Sequence, residues 1–166
     1  MNTLFSWIAY THDFDKDCNA KIDGPTLDFH NYFFNGGWDA KYEFNHHVLL
    51  SSEKEHNSRA ISISNLLKRR HPDNSFEIRY MDIADFMDVN EIQLKVSSVL
   101  KDFDTREHYY FFSTGTSAMK LAWFLTFQSG EYQSHLIQTW PKKTEDGFPR
   151  IEEFELIPTK ESHYNK

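Results

Sequence analysis

The stretch YYFFSTGTSAMKLAWF, residues 109–124, changes character twice within sixteen positions. Its first four residues are bulky aromatics, which are typical of a buried strand. Its last seven place apolar side chains at helical spacing, and the five between them, STGTS, are small and polar. A strand, a short turn and a helix therefore follow one another directly, an order that is typical of α/β proteins.

The same alternation extends in both directions along the chain. Apolar runs predict strands over 3–10, 43–52, 75–83, 107–114, 134–140 and 150–157, and helical spacing predicts helices over 26–34, 53–70, 88–103 and 117–130. Strands that alternate with helices of this length pair in parallel. We therefore predict an α/β fold that is Rossmann-like and doubly wound, with a mainly parallel sheet of about six strands and helices on both faces.

In such folds, ligands bind beyond the carboxyl ends of the strands, near the point where the strand order reverses. The polar turn Ser113–Ser117 occupies this position after the fourth predicted strand. The first strand usually lies beside the fourth, and it ends in a second polar patch. The candidate site residues are Tyr10, Thr11, His12 and Asp13 after the first strand, Ser51 after the second, and Ser113, Thr114, Gly115, Thr116 and Ser117 in the turn.

Two interpretations of the turn remain open from the residues alone. The first helical N–H groups are unpaired and lie at the positive end of the helix dipole, so a phosphate could bind there, with Gly115 allowing close approach. Alternatively, Thr116 or Ser117 only caps the helix while Gly115 makes the turn. The spacing matches neither the P-loop nor the GxGxxG dinucleotide fingerprint.

Composition argues against two classes of protein, those that bind long nucleic acid and those that span a membrane. The net charge of −7 argues against a protein that binds long nucleic acid, although local donors could still hold a small anion. No apolar run approaches the length of a membrane span, and the N-terminus lacks the pattern of a signal sequence. We expect a soluble cytoplasmic protein without a membrane partner.

The sequence gives no support for a metal or another cofactor. Cys18 is the only cysteine, which excludes an internal disulfide and a cysteine-based zinc site. Adjacent residues of a strand point to opposite faces, so His46 and His47 would not chelate one ion. Residues 13–24, DFDKDCNAKIDG, depart from the ligand order of a calcium loop. No nucleophile elbow is present, and no catalytic residue is assigned.

The turn and its neighbours resemble a known family. FFSTGTSAMKLAWFL (111–125) resembles the second signature of CARF domains, the CRISPR-associated Rossmann-fold sensors, and of the related N-terminal sensor of the bacterial RNA-repair transcription regulator. SHLIQTWPKK (134–143) is similar to the strand and basic loop that follow there, and LFSWIAYTHDFD (4–15) resembles the first signature. Many members have Gly-Gly-Thr-Lys where this chain has Thr-Gly-Thr-Ser, with its lysine displaced to Lys120.

The resemblance implies a homodimer whose two turns join to bind a cyclic oligoadenylate, most often the tetra- or hexa-adenylate of type III CRISPR antiviral defence. It implies that Thr114–Ser117 hold ribose and phosphate, and that Thr11, His12 and Asp13 contact adenine or ribose. We add Lys120 to the candidate ligand-binding residues. We expect a CARF-like sensing domain over 1–158, with 159–166 a tail or the start of a linker to an effector domain that the ligand controls allosterically.

Three alternatives stay open. The chain could be a ring nuclease, in which a ribose 2′-hydroxyl attacks the neighbouring phosphate in line, helped by positioning and charge stabilisation. It could instead sense RNA ends, like the RNA-repair regulator, or be a nucleotide-binding module unrelated to CRISPR. A pure sensor would need no catalytic residue.

Overall fold

The structure, a computed structural model, describes residues 2–34, 44–143 and 149–156. The described elements, in chain order, are β1 (Asn2–Trp7), α1 (Pro25–Phe34), β2 (His46–Ser51), α2 (Ser58–Arg70), β3 (Ser75–Tyr80), α3 (Val89–Leu100), β4 (Glu107–Phe111), α4 (Ser117–Ser129), β5 (Ser134–Lys143) and β6 (Pro149–Glu153). A 3-10 turn, Lys101–Phe103, follows α3. The predicted tail 159–166 lies outside the described residues.

The strands form one six-stranded sheet in the order β3-β2-β1-β4-β5-β6. The pairs from β3 to β5 are parallel, and β6 runs antiparallel to β5. The central strand β1 places Phe5 opposite Val48 of β2 on one side and Tyr110 of β4 on the other. The chain reverses direction across the sheet between β1 and β4, which is the switch point of a doubly wound fold. The predicted fold class is confirmed.

Helices cover both faces of the sheet because the parallel strands are apolar on both sides. On one face, α3 and α4 pack against β1, β4 and β5, and the indole of Trp123 lies flat on the ring of Tyr110 with centroids 4.6 Å apart. On the other face, α2 buries Ile63 and Leu67 beside Leu49. Phe29 of α1 completes that layer against Phe111, with ring centroids 4.4 Å apart.

Helix starts follow their capping residues. Asp88, the first residue of the third predicted helix, is its N-cap and accepts hydrogen bonds from the backbone N–H groups of Asn90 and Glu91. The predicted start of the second helix at residue 53 is wrong. The side chain of Asn57 accepts from the N–H groups of Arg59 and Ala60, and this cap starts α2 at Ser58. Residues 53–57 therefore belong to the connection between β2 and α2.

The first strand is shorter than predicted, which changes the geometry at its end. Its ladder stops at Trp7, and the carbonyl of Ala9 accepts hydrogen bonds from the N–H groups of His12 (2.9 Å) and Asp13 (2.7 Å). These two bonds fold residues 9–13 into a turn. The polar patch after β1 therefore lies across the carboxyl edge of the sheet instead of extending the strand.

Within the part of the chain that the structure describes, the helices are too short and too polar for any of them to cross a bilayer.

Candidate functional site

The turn between β4 and α4 depends on Gly115. Its φ is +100°, in a region that L side chains rarely adopt. A Cβ at this position would also lie 3.1 Å from both Cβ and Sδ of Met119, and 3.4 Å from Cβ of Trp7. Both constraints exclude a side chain here. The backbone of the turn is therefore bare where it reaches the sheet edge.

Thr116 is the N-cap of α4. Its hydroxyl accepts a hydrogen bond from the N–H of Met119 (3.3 Å), and its own N–H donates to Sδ of Met119 (3.3 Å). The same hydroxyl donates to the carbonyl oxygen of Phe86, 2.8 Å away in the β3–α3 loop. The capping interpretation is thus confirmed for Thr116, and Met119 packs beneath the turn as its partner. The N–H groups of Ser117 and Ala118, in the first turn of α4, keep no intrahelical acceptor.

The other predicted residues of the turn point elsewhere. The hydroxyl of Ser113 accepts from the N–H of Thr139 on β5 at 2.8 Å. Thr114 is buried, and its hydroxyl has no hydrogen-bond partner among the described residues. Ser117 is exposed and Lys120 half-buried, and neither side chain forms part of the cavity wall described below.

Asp13 supports the turn after β1 from within. Its carboxylate accepts hydrogen bonds from the N–H of Ala9 (2.9 Å), the N–H of Thr26 (2.9 Å) and the hydroxyl of Thr26 (2.7 Å). Burial raises the pKa of Asp13 above its usual range, against the effect of these bonds. The carboxylate therefore ties the turn to the start of α1 and does not face the cavity.

Tyr10 is held by β2 and α2. Its hydroxyl and that of the buried Ser51 lie 2.5 Å apart, and the guanidinium of Arg59 lies 4.4 Å above its ring. Burial raises the pKa of Tyr10 to about 12, so the phenol stays neutral. Ser51, a predicted ligand residue, thus acts on the site through Tyr10.

These elements enclose a cavity of about 250 Å³ at the carboxyl edge of the sheet, where β1 and β4 meet. Its walls come from the ends of β1, β2 and β4 and from the β3–α3 loop. They are formed by Ile8, Ala9, Tyr10, Thr11, His12, Ser52, Glu53, Phe86, Gly115, Thr116 and Met119. The structure therefore brings together Tyr10, Thr11 and His12 from one predicted patch with Gly115 and Thr116 from the other.

Sequence reasoning missed the contribution of the β3–α3 loop. Phe86 lines the cavity and is 47% exposed. Glu53, two residues beyond Ser51, lines it as well. The signal that could have found Phe86 is the segment ADFMD (84–88), where two large apolar residues stand in a polar loop at the end of a strand.

The two adjacent histidines of β2 face opposite sides, as predicted. Nε2 of His46 lies 2.6 Å from Oε1 of Glu77, and Nε2 of His47 lies 2.7 Å from Oγ of Ser6. Burial lowers the pKa of His47 to about 3, so this imidazole is neutral. Over the described ranges, no three His, Cys, Asp or Glu side chains are grouped so that they could hold a metal ion.

Comparison with known proteins adds a family and a fold. The family model RtcR, "Regulator of RNA terminal phosphate cyclase", matches residues 40–166. No curated protein matches the sequence. Among solved structures, Enterococcus italicus Csm6 bound to cyclic hexa-2′-fluoro-hexa-dAMP is similar, with a TM-score of 0.63 and 17% identity. The match covers 87% of this chain and 35% of the Csm6 chain, so this chain spans about a third of that protein's length. The resemblance to CARF domains and to the RNA-repair regulator is confirmed.

Proposed function

Because this chain belongs to the RtcR family, the regulators of RNA terminal phosphate cyclase, we propose that it is a nucleotide-sensing domain whose cavity binds a cyclic oligoadenylate. The observation that carries the proposal is the cavity itself. It lies at the switch point between β1 and β4 and is bounded by the start of α4. Ligands of doubly wound proteins bind at this position.

The start of α4 supports a phosphate. The unpaired N–H groups of Ser117 and Ala118 and the positive end of the helix dipole favour an anion. Gly115 contributes bare backbone to the cavity wall. Since the hydroxyl of Thr116 is already engaged with Met119 and Phe86, the phosphate would be bound by backbone groups. Local donors of this kind act at short range, so the net charge of −7 does not oppose binding.

The turn after β1 supports a sugar. Thr11 and His12 line the same cavity and offer a hydroxyl and an imidazole. His12 is exposed, so it is accessible to a bound molecule. The proposal assigns these two side chains to ribose. Asp13 has a different role, because its carboxylate faces α1.

The size of the cavity supports a shared site. Pockets that bury a drug-sized ligand have volumes of roughly 300–1,000 Å³, and this one has about 250 Å³. It would hold one nucleoside of a ring, and the rest of the ring would contact a second copy of the chain. A homodimer also fits the leucines that α3 and α4 leave exposed, Leu94 (74%), Leu121 (45%) and Leu125 (39%).

The similarity to Csm6 supports a cyclic oligoadenylate as the ligand, because that Csm6 structure contains a cyclic hexa-dAMP derivative. In this proposal, binding of the cyclic oligoadenylate changes how the two chains of the homodimer are arranged, and this change controls an effector in antiviral defence. In this proposal the sensing domain covers residues 1–158, and residues 159–166 are a tail or the start of a linker to the effector.

A second candidate ligand is an RNA end that carries a terminal phosphate. The observation that favours it is the RtcR match, since the family regulates an enzyme named for RNA terminal phosphate. The same N–H groups at the start of α4 would bind that phosphate.

Ring cleavage is a further alternative, because His12 lies in the cavity wall, where an imidazole could move a proton during attack by a ribose 2′-hydroxyl.

One experiment separates these functions. The purified protein is titrated with cyclic tri-, tetra- and hexa-adenylate and with RNA oligonucleotides that end in a phosphate or a hydroxyl, and binding is followed by calorimetry. The proposal expects saturable binding of at least one ring, with the ring recovered intact by chromatography. Linear products would identify a ring nuclease. Binding only of phosphate-ended RNA would replace the proposal with the second candidate.

A further inference from the structure

The β3–α3 loop, residues 81–88, is a fixed wall of the cavity. Its first part continues the pairing of β2 with β3, since the N–H of Met81 donates to the carbonyl of Ser51 (2.8 Å) and that of Ile83 to Ser52 (2.9 Å). Glu91 holds the middle, where its carboxylate accepts from the N–H groups of Ala84 and Asp85, each at 3.0 Å. These two bonds are the main cause of the lowered Glu91 pKa, about 2.

Phe86 is fixed at its backbone and free at its ring. Its carbonyl accepts the hydrogen bond from Thr116, so the loop is joined to the α4 turn. Phe86 lines the cavity and is 47% exposed, and its ring stacks on no other ring among the described residues. An accessible aromatic face beside a nucleoside-sized cavity is suited to stacking on a base.

Glu53 brings a carboxylate to the same cavity. Its backbone is fixed, because its N–H donates to the hydroxyl of Ser51 (3.2 Å) and its carbonyl accepts from the N–H of Asp82 (3.2 Å). Its carboxylate forms no ion pair within the described part of the chain. An ionised carboxylate only accepts hydrogen bonds and repels phosphate, so it needs a donor on the ligand other than the backbone. The exocyclic amino group of a base is such a donor.

The cavity is therefore divided by charge. The start of α4 favours an anion, whereas Glu53 and Phe86 favour a planar group that donates hydrogen bonds. We propose that Phe86 and Glu53 read the base: the base stacks on the Phe86 ring, and its amino group donates to the Glu53 carboxylate. This proposal rests on the proposed function and identifies which residues select an amino-bearing base such as adenine.

The test compares cyclic tetra- and hexa-adenylate with the same rings carrying purine, which lacks the 6-amino group, in place of adenine. The wild-type protein is expected to bind the adenine ring about 100-fold more tightly, because a ring shared by two chains makes two such base contacts and each, at about 1.4 kcal/mol, gives about 10-fold. Glu53→Ala removes the acceptor, so the two rings are expected to bind about equally. Phe86→Ala removes one stacking contact from each of the two chains, so it is expected to weaken both rings about 100-fold and to keep the preference for adenine, and Phe86→Trp is expected to restore affinity.

Met87→Ala is the matched control. Met87 adjoins Phe86 and is 64% exposed, but it lies outside the cavity wall, so its truncation should leave both affinities unchanged. Thermal unfolding of each variant shows whether the loop is intact. Equal wild-type affinity for the adenine and purine rings, or a preference for adenine that survives in Glu53→Ala, overturns the proposal while leaving the sensor function standing. Failure of the wild type to bind any adenylate ring removes both.

Discussion

The hydroxyl of Thr116 donates a hydrogen bond to the carbonyl oxygen of Phe86 over 2.8 Å. The two residues are 30 positions apart, one at the start of α4 and the other in the β3–α3 loop. The same hydroxyl caps α4 by accepting from the N–H of Met119. One side chain thus fixes both the helix that would bind phosphate and the loop that would bind the base.

Removing this hydroxyl should loosen the site at both points. Thr116→Ala deletes the cap and the link to Phe86, so the free energy of unfolding is expected to fall by about 1–2 kcal/mol in urea denaturation. Thr116→Ser keeps both bonds and should stay within about 0.5 kcal/mol of the wild type. Ser117→Ala is the matched control because Ser117 is exposed at the next position. An unchanged stability of Thr116→Ala would contradict the role assigned to Thr116.

Two glycines with positive φ allow a paired test of the turn. Gly115 (φ +100°) lies in the cavity wall against Met119, whereas Gly130 (φ +68°) ends α4, and a Cβ there meets nothing within 4 Å. Gly130→Ala is expected to cost about 1–2 kcal/mol of stability because of the left-handed backbone, and Gly115→Ala is expected to cost more, because its Cβ would also lie 3.1 Å from Met119. Gly115→Ala should in addition abolish ring binding in calorimetry, and Gly130→Ala should leave it intact. Loss of binding in both variants, or in neither, would contradict the placement of the site.

The hydroxyl of Tyr10 links the turn after β1, which forms part of the cavity wall, to β2. Tyr10→Phe removes the 2.5 Å contact with Ser51 but keeps the ring beneath Arg59, so the free energy of unfolding should fall by about 1 kcal/mol. Tyr80→Phe, on β3 outside this cavity, serves as the control. The affinity for the cyclic oligoadenylate should change less than about 3-fold, the factor that corresponds to about 0.6 kcal/mol. A large loss of affinity would place the phenol in direct contact with the ligand.

His135 should make the stability of the β6 edge depend on pH. Burial disfavours its imidazolium, but hydrogen bonds from its ring to Glu153 and Glu107, both 2.5 Å, outweigh burial and raise the pKa. The imidazolium is therefore stabilised more in the folded than in the unfolded chain. Its contribution is fully present below the unfolded pKa, about 6.5, and is lost as pH rises through the higher folded pKa.

The measurement is urea denaturation of the wild type and His135→Gln between pH 5.5 and 9. The difference in free energy of unfolding between the two should shrink as pH rises above about 6.5. A difference that is constant over the whole range would show that the histidine does not titrate with a raised pKa.

The fold was predictable because its signals are local and repeated. Alternation of apolar runs with helical spacing identified all the described strands and helices, and the switch point followed from the usual order of such sheets. The start of α2 was wrong because residues 53–59 contain no apolar residue that would mark the boundary, and only the side-chain contact of Asn57 fixes it. The length of β1 was wrong for a similar reason, since the turn at Ala9 depends on backbone hydrogen bonds.

The site was predictable only to the level of its backbone segments. The sequence located the two turns, but the direction of each side chain depends on tertiary contacts. Asp13 turns inward because Thr26 offers two donors, and Ser113 turns to β5 because Thr139 offers its N–H. Phe86 belongs to a loop without a motif and reaches the cavity through its bond to Thr116. The contacts of Asp13 and Ser113 have no sequence signal of their own, whereas the two large apolar residues of ADFMD (84–88) were a weak signal for Phe86.

The most direct test of the sensor function is the stoichiometry of binding. Isothermal titration of the purified protein with cyclic tetra- and hexa-adenylate, combined with the mass of the complex in solution, gives the number of chains per ring. The account predicts saturable binding of one intact ring by two chains. A ring held by a single chain would contradict the shared site, and the absence of heat with every ring would contradict the sensor function itself.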